Sequence, residues 1–164
     1  MNGAGSIAEQ KTALRSTMRA RLQEMDAEER RVRSEKIVAQ LIETTEWVEA
    51  DVVALFEPMR SEPDVRPLRE FAAESGKEIT VIPRTALNES DVCFSLTPTL
   101  VLVPGLAFTR DGARLGRGGG FYDRLLNGQA ANAIKFGICF EFQVVDFVPS
   151  ATHDVVLDAV VTDA

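Results

Sequence analysis

The sequence has few of the residues that mark cross-linked, metal-rich or membrane proteins. Its 164 residues include two cysteines and a single histidine, too few for a disulfide framework or a zinc site. Cys93 and Cys139 each lie between apolar neighbours, which favours buried free thiols. No apolar run approaches the roughly 20 residues that span a bilayer. Residues 1–10 lack the basic cap and apolar stretch of a signal peptide, so we expect a cytoplasmic protein.

An excess of positive charge is also missing. The formal net charge is −7 and the isoelectric point is near 4.8. This argues against nucleic acid or an anionic membrane as partner, because both attract a basic surface. Apolar residues make up 45% of the chain and charged residues 26%, as in an ordinary globular protein. The length suits one domain, so we predict a single domain over residues 1–164.

Apolar residues at helical spacing alternate with short apolar runs. The spacing predicts helices over residues 6–25, 64–75 and 122–126, and a further helix opened by Asp26. The buried side of that further helix is expected to be formed by Val32, Ile37, Val38, Leu41 and Ile42. Continuous apolar runs predict strands at residues 52–56, 79–82, 100–103, 134–140 and 157–161. This alternation indicates an α/β domain with a largely parallel sheet, which binds ligands beyond the carboxyl ends of its strands.

A glycine-rich segment that carries arginines is the most informative part of the sequence. Residues 114–124 read RLGRGGGFYDR, with four of the eleven glycines in five positions. Glycine lets the backbone approach a ligand, and successive N–H groups can form an anion-binding nest before a helix. Residues 110–124 contain four arginines and two aspartates, a net charge of +2, so the rest of the chain carries −9. A local positive site in an acidic protein indicates a phosphate-bearing ligand, which the arginine fork suits.

The same segment is also compatible with a flexible surface loop whose arginines are solvated. It matches neither of the common nucleotide-binding patterns. No Gly-Lys-Ser/Thr sequence follows it, as a Walker A loop requires. Phe121 stands where a Rossmann fingerprint starting at Gly116 needs its last glycine. Glycine and arginine alone therefore do not identify the ligand.

Residues 103–123, which read VPGLAFTRDGARLGRGGGFYD, resemble the signature of the 5-formyltetrahydrofolate cyclo-ligases, also called methenyltetrahydrofolate synthetases. The stretches KTALR, PMRSE and HDVVLDAV, at residues 11–15, 58–62 and 153–160, resemble the family's N-terminal, substrate-loop and C-terminal segments. The resemblance implies a three-layer α/β domain (NagB/RpiA/CoA-transferase-like) that acts as a monomer. It also implies ATP- and Mg²⁺-dependent closure of 5-formyltetrahydrofolate to 5,10-methenyltetrahydrofolate, with release of ADP and phosphate.

The resemblance implies a role for each matched residue. ATP would be bound by Lys11, Arg15, Arg114, Leu115, Gly116, Arg117, Gly118, Gly119, Gly120, Phe121 and Tyr122. Arg117 would also bridge the transferred phosphoryl group and the formyl oxygen, and is the catalytic candidate. Glu62 would bind the N–H donors of the pterin ring, and Phe121 would pack on the pterin or the nucleotide. Asp123 and Asp158 would hold Mg²⁺.

Each of these residues also has an ordinary structural interpretation. Lys11 and Arg15 share one helix face, and Arg19 continues a stripe that is typical of a solvated surface. Phe121 suits a core aromatic, and Glu62 a loop residue. Asp123 suits the start of a helix, and Asp158 the edge of a strand. His153 is expected to be a turn residue rather than a general base, because the implied chemistry does not need one.

The chain departs from the family between Arg84 and Val101, which only sixteen residues separate. Family members carry a longer segment here, with a Gly-Ile-x-Glu-Pro motif that helps to wall the folate side of the pocket. Residues 91–95 are a candidate for the remnant of its strand. Three functions remain open: an active cyclo-ligase, a folate- or nucleotide-binding protein without turnover, and a phosphosugar or CoA-type enzyme on a related fold. Intact Arg117, Asp123 and Asp158 favour the first.

Overall fold

The computed structural model describes residues 5–164. Its helices and strands follow one another as α1 (Ile7–Glu24), α2 (Ala27–Ile42), α3 (Thr45–Glu49), β1 (Val52–Phe56), α4 (Leu68–Glu74), β2 (Glu78–Ile82), β3 (Leu100–Val103), β4 (Ala107–Phe108), β5 (Arg114–Leu115), α5 (Phe121–Asn127), β6 (Ile134–Ile138) and β7 (Ala159–Val161). Single 3₁₀ turns lie at Glu89–Asp91 and Glu141–Gln143. Across residues 5–164, no helix has the length and apolar character needed to cross a membrane.

Five parallel strands form the central sheet in the order β2-β1-β3-β6-β7. The chain places β2 on one side of β1 and builds β3, β6 and β7 on the other, so the strand order reverses between β1 and β3. Loops diverge at such a point and leave a crevice beyond the carboxyl ends of the strands. β4 and β5 form a separate antiparallel pair, which leads the chain into the glycine-rich segment.

Helices cover both faces of the sheet. One core cluster packs the four helices α1, α2, α3 and α4 against one face of the sheet and contains Met18, Leu41 and Leu68. The other joins α5 to the opposite face and contains Leu125 and Leu126. Successive strand residues point to opposite faces, and residues 53–55 of β1 accordingly alternate between the two clusters. These three layers confirm the predicted α/β class with a parallel sheet.

The two N-terminal helices begin at side-chain caps. Ser6 and Glu9 form a capping box at α1, in which each side chain bonds the other residue's backbone N–H. Asp26 caps α2 by accepting a hydrogen bond of 2.8 Å from the backbone nitrogen of Glu29. The predicted start of the second helix at Asp26 is therefore confirmed.

Two sequence predictions about burial and boundaries are wrong. Val32 is 38% exposed, and Ser34 lies with Ile37 and Leu41 on the buried face instead. The helix predicted over residues 64–75 is α4, which begins at Leu68 rather than near residue 64 because turns precede it. Gly76 does follow the end of this helix, with a left-handed φ of 70°. The short helix α3 and the β4–β5 pair were not predicted.

The segment between β2 and β3 contains no strand, so residues 91–95 do not keep the strand expected there. Cys93 lies in this segment and is exposed, contrary to the prediction of a buried thiol, because the neighbouring Val92 is the residue that packs into the core. Cys139 follows β6 and is buried as predicted. Both cysteines are free.

Candidate active site

A pocket of about 340 Å³ occupies the crevice beyond the carboxyl ends of β1, β2 and β3, a volume at the small end of the range for ligand sites. Its walls come from α1, the loop after β1, the segment after β2, the glycine-rich segment and the loop before β7. Thirteen of the predicted site residues line it: Lys11, Arg15, Glu62, Arg114, Leu115, Gly116, Arg117, Gly118, Gly119, Gly120, Phe121, Tyr122 and Asp123. The fold therefore gathers residues from three distant parts of the chain.

The glycine-rich segment, residues 116–120, has a backbone that other residues rarely adopt. Gly118 and Gly120 have φ values of 117° and 69°, in the region that only glycine enters freely. Gly120 precedes the first residue of α5. Arg15 Nε donates to the carbonyl of Gly116 at 2.9 Å, so α1 is attached directly to the segment. This hydrogen bond fixes the position of the glycine-rich segment relative to α1.

Arg114 contacts residues that precede and follow the glycine-rich segment in the sequence. Its side chain is only 6% exposed, its Nη1 donates to the carbonyl of Pro104 at 2.8 Å, and its Nη2 lies 4.0 Å from Asp123 Oδ2. The guanidinium carbon lies 5.4 Å from the centre of the Tyr122 ring. Burial lowers the pKa of Arg114, although Asp123 opposes the shift, and burial raises the pKa of Tyr122. The Arg114 guanidinium therefore contacts other residues of the protein, although its side chain also lines the pocket.

Glu62 and Arg117 form an ion pair inside the pocket. Glu62 is 5% exposed, and its Oε2 accepts a hydrogen bond of 2.8 Å from the backbone nitrogen of Met59. Arg117 Nη2 donates to Glu62 Oε1 and to the hydroxyl of Ser61, each at 3.3 Å. The candidate for pterin binding therefore contacts the catalytic candidate, although 55 positions separate them in the sequence.

Two carboxylates face the pocket near the loop before β7. Asp123 Oδ1 accepts from the backbone nitrogen of Val155 at 3.1 Å. Asp154 Oδ2 accepts from Lys11 Nζ at 2.6 Å and from the backbone nitrogen of Ala151 at 2.7 Å. Burial opposes ionisation of Asp154, but these two hydrogen bonds together with the nearby positive charge outweigh it and hold the pKa of the carboxyl below its usual value.

The structure does not bring Asp158 to the pocket beside Asp123. Asp158 does not line the pocket; it precedes β7 beside the start of β6, where its Oδ2 accepts from the backbone nitrogen of Lys135 at 2.8 Å. This position is at the opposite end of the sheet from the crevice. Asp154, four residues earlier, lies on the pocket instead. In the sequence, both aspartates lie within the same C-terminal stretch, and only the path of the loop distinguishes them.

The donor set is compatible with Mg²⁺ but does not enclose a metal. Within the described residues 5–164, no group of three or more His, Cys, Asp or Glu side chains could hold an ion. Mg²⁺ in phosphate-transfer sites usually takes one or two carboxylates together with phosphate oxygens and water. Asp123 and Asp154 supply this number of carboxylates on one side of the pocket.

The wall formed by the segment after β2 is low. Arg84, Ala86 and Leu87 line the pocket there, and Leu87 is 78% exposed. The single regular feature of this segment is the 3₁₀ turn Glu89–Asp91, which is tied to α5 by an ion pair between Glu89 and Arg124 at 2.9 Å. The pocket is therefore open to solvent on this side.

Comparison with known proteins identifies the family of the chain. The family model of the 5-formyltetrahydrofolate cyclo-ligases matches residues 7–99 and 92–163. The chain belongs to the 5-formyltetrahydrofolate cyclo-ligase family. The two matched parts overlap at residues 92–99, within the segment between β2 and β3. Membership removes the alternative of a phosphosugar or CoA-type enzyme.

Individual cyclo-ligases match over different lengths. The cyclo-ligase of Mus musculus is 26% identical over 193 residues, covering 96% of this chain and 95% of its own length. That of Mycolicibacterium smegmatis is 41% identical over 81 residues, which are 49% of this chain and 38% of the relative. The local match thus covers well under two thirds of the mycobacterial protein, whereas the mouse match is nearly complete.

Two solved structures share the fold. The 5,10-methenyltetrahydrofolate synthetase of Mycoplasma pneumoniae superposes with a TM-score of 0.77 at 25% identity, covering 94% of this chain and 99% of the other. The synthetase of Aquifex aeolicus gives a TM-score of 0.77 at 28% identity, with coverage of 93% and 89%. The parallel sheet with its flanking helices is therefore the cyclo-ligase fold.

Proposed function

We propose that this chain is an ATP- and Mg²⁺-dependent enzyme that closes 5-formyltetrahydrofolate to 5,10-methenyltetrahydrofolate and releases ADP and phosphate. The observation that carries the proposal is the ion pair between Glu62 and Arg117, which joins the loop after β1 to the glycine-rich segment within the pocket. The proposal includes one catalytic domain over residues 1–164, which acts as a cytoplasmic monomer on small molecules. Family membership supports the reaction type.

The reaction asks the protein mainly for positioning and charge neutralisation. A formamide oxygen is a poor leaving group, and ATP supplies the phosphoryl group that makes it a good one. N10 then bonds to the formyl carbon and gives up its proton to solvent, and the oxygen departs with phosphate. Phosphoryl transfer of this kind depends on aligned partners and on cations near the phosphate oxygens.

Arg117 is suited to both partners of the transfer. It belongs to the glycine-rich segment, which would bind the phosphates, and its guanidinium contacts Glu62 on the other side of the pocket. A planar guanidinium can hold two oxygens at once. In this proposal, Arg117 keeps the formyl oxygen and the transferred phosphoryl group together and neutralises the charge that develops there. Glu62 would accept hydrogen bonds from the pterin N–H groups.

Lys11 and Arg15 would add positive charge at the phosphate end. Both project from α1 into the pocket, where Lys11 pairs with Asp154 and Arg15 bonds the Gly116 carbonyl. Mg²⁺ would be held by Asp123 and Asp154 and would neutralise phosphate charge. Asp158 has no part in this arrangement.

The direct test is formation of the methenyl product. Purified protein is mixed with 5-formyltetrahydrofolate, ATP and Mg²⁺, and the near-ultraviolet absorbance of 5,10-methenyltetrahydrofolate is followed. We expect the absorbance to rise only when all three are present, and to stay flat with Glu62→Gln. Absence of product with the unmodified protein when all three are present would refute the proposal.

A second candidate is a protein that binds folate or nucleotide without turnover. The low wall at Leu87, 78% exposed, favours it because water could reach the reacting groups. The two candidates differ in one measurement. Saturable binding of 5-formyltetrahydrofolate with no absorbance change in the presence of Mg-ATP would select the binding protein.

A further inference from the structure

The turn that carries Glu62 is held from behind by α2. Arg30 donates from Nε to the carbonyl of Glu62 at 2.6 Å and from Nη2 to the carbonyl of Met59 at 3.2 Å. These two carbonyls mark the ends of the turn, which the Glu62 nitrogen closes by donating to Met59 O at 3.0 Å. Because a guanidinium is planar and rigid, one side chain fixes both ends of the turn relative to the helix.

A second residue of α2 holds the next part of the same loop. Ser34 lies four residues after Arg30, on the same helix face, and is only 3% exposed. Its hydroxyl accepts a hydrogen bond of 2.9 Å from the backbone nitrogen of Asp64. The loop is therefore attached to α2 on both sides of Pro63.

The direction of the Glu62 carboxylate depends on this turn. Its Oε2 is bonded to the Met59 nitrogen within the turn, which leaves Oε1 directed at Arg117. A shift of the turn would therefore move the carboxylate with it, and a displacement of about 1 Å is enough to impair a bound reactant. Arg30 itself does not line the pocket.

We propose that Arg30 is a positioning residue for folate recognition, acting through the turn at residues 59–62 on the carboxylate of Glu62. The inference rests on the proposed function, since it concerns the substrate that Glu62 would bind. Arg30 has no contact with the glycine-rich segment among its hydrogen bonds, so the folate side of the pocket should respond to its loss and the ATP side should not.

The test compares Arg30→Met with Arg31→Met. Both residues lie on α2, but Arg31 is exposed and pairs only with Glu28 and Glu35 of the same helix. We expect Arg30→Met to raise the KM for 5-formyltetrahydrofolate about tenfold or more, as loss of a charge-assisted hydrogen bond does. The KM for ATP should stay unchanged, and Arg31→Met should change neither constant.

Conservative and milder variants separate positioning from a general loss of stability. Arg30→Lys keeps one donor of the fork and should restore part of the folate affinity, while Ser34→Ala should raise the same KM by a smaller factor. If Arg30→Met does not fold, Ser34→Ala still tests whether the attachment of the loop to α2 positions Glu62. Equal rises in the KM values for folate and ATP would overturn the inference. An unchanged folate KM in Arg30→Met would also overturn it. If Arg30→Met does not fold, an unchanged folate KM in Ser34→Ala has the same consequence.

The outcome for the unmodified protein keeps the two proposals distinct. If it turns over and the Arg30 variants keep a normal folate KM, the positioning role fails and the cyclo-ligase function stands. If it binds folate without turnover, the same comparison is made on the dissociation constant for 5-formyltetrahydrofolate. If it binds no folate, both proposals fail.

Discussion

Replacing Arg117 with alanine would remove a guanidinium that joins the glycine-rich segment to the carboxylate of Glu62. The contacts that would be lost are two hydrogen bonds of 3.3 Å, to Glu62 Oε1 and to the Ser61 hydroxyl. Both are at the long end of the hydrogen-bond range, and the Arg117 side chain is 31% exposed. The structure therefore assigns Arg117 little weight in holding the fold.

The expected effects on stability and on rate differ in size. Alanine leaves Glu62 bonded to the Met59 nitrogen, so we expect a stability loss of about 1–2 kcal/mol, as for a partly buried charged hydrogen bond. For a chain of this length that corresponds to a fall in Tm of about 2–8 °C. Removing a group that stabilises transition-state charge typically lowers kcat about 10²–10³-fold, so turnover should fall far more than stability.

The assay is the initial rate of methenyl product formation at saturating folate and Mg-ATP, with a thermal melt of each variant. Arg110→Ala is the matched control, because Arg110 lies in the same arginine-rich stretch but pairs with Glu141 at the surface, 57% exposed. We expect the control to keep its rate. An Arg117→Ala protein that turns over within a few-fold of the unmodified rate would remove Arg117 from the mechanism.

Three further predictions follow from the geometry. Asp154→Asn should raise the Mg²⁺ concentration needed for half-maximal rate about tenfold or more, whereas Asp158→Asn should not; equal responses in an Mg²⁺ titration would contradict the revised pairing. Because burial raises the pKa of Tyr122, its phenol stabilises the fold at pH values below the ordinary tyrosine pKa. That contribution is lost as the pH rises above about 10, and an ultraviolet titration of this single tyrosine should show tyrosinate forming at a higher pH in the folded protein than in the unfolded chain. Gly112→Ala would place a methyl group 2.1 Å from a carbonyl oxygen at a φ of 99° and should lower the Tm by at least about 5 °C, whereas Gly119→Ala, with open space around it, should not.

Local physical signals predicted most of the regular structure. Asp26 could be identified as a helix cap because its side chain satisfies a backbone nitrogen three residues away. The strand at Val52–Phe56 was visible because a strand covered on both faces needs apolar residues throughout. The helix face was misjudged at Val32, because a polar residue, Ser34, occupies the buried position for the sake of its bond to Asp64. Apolar periodicity cannot reveal a polar residue that is buried for its hydrogen bond.

The same distinction separates the site residues. The glycine-rich segment could be predicted because its glycines and arginines are adjacent in sequence and the chemistry is local. The choice between Asp154 and Asp158 could not, because both lie in one short stretch and only the tertiary path places Asp154 on the pocket and Asp158 beside Lys135. Arg30 was also missed, because its effect on the site passes through backbone carbonyls that have no sequence signature.

The two sides of the pocket consequently differ in how they tolerate change. The phosphate side is built from neighbouring residues of one segment and is attached to α1 through Arg15. The folate side is assembled from a turn held by α2 and from the low wall at Leu87. Since Glu62 is fixed by Arg30 rather than by the segment after β2, shortening that segment opens the pocket without releasing the carboxylate. The short wall therefore predicts that the reacting groups are less shielded from water. Recognition of the pterin N–H groups depends instead on the hydrogen bonds from Arg30 and Ser34 of α2.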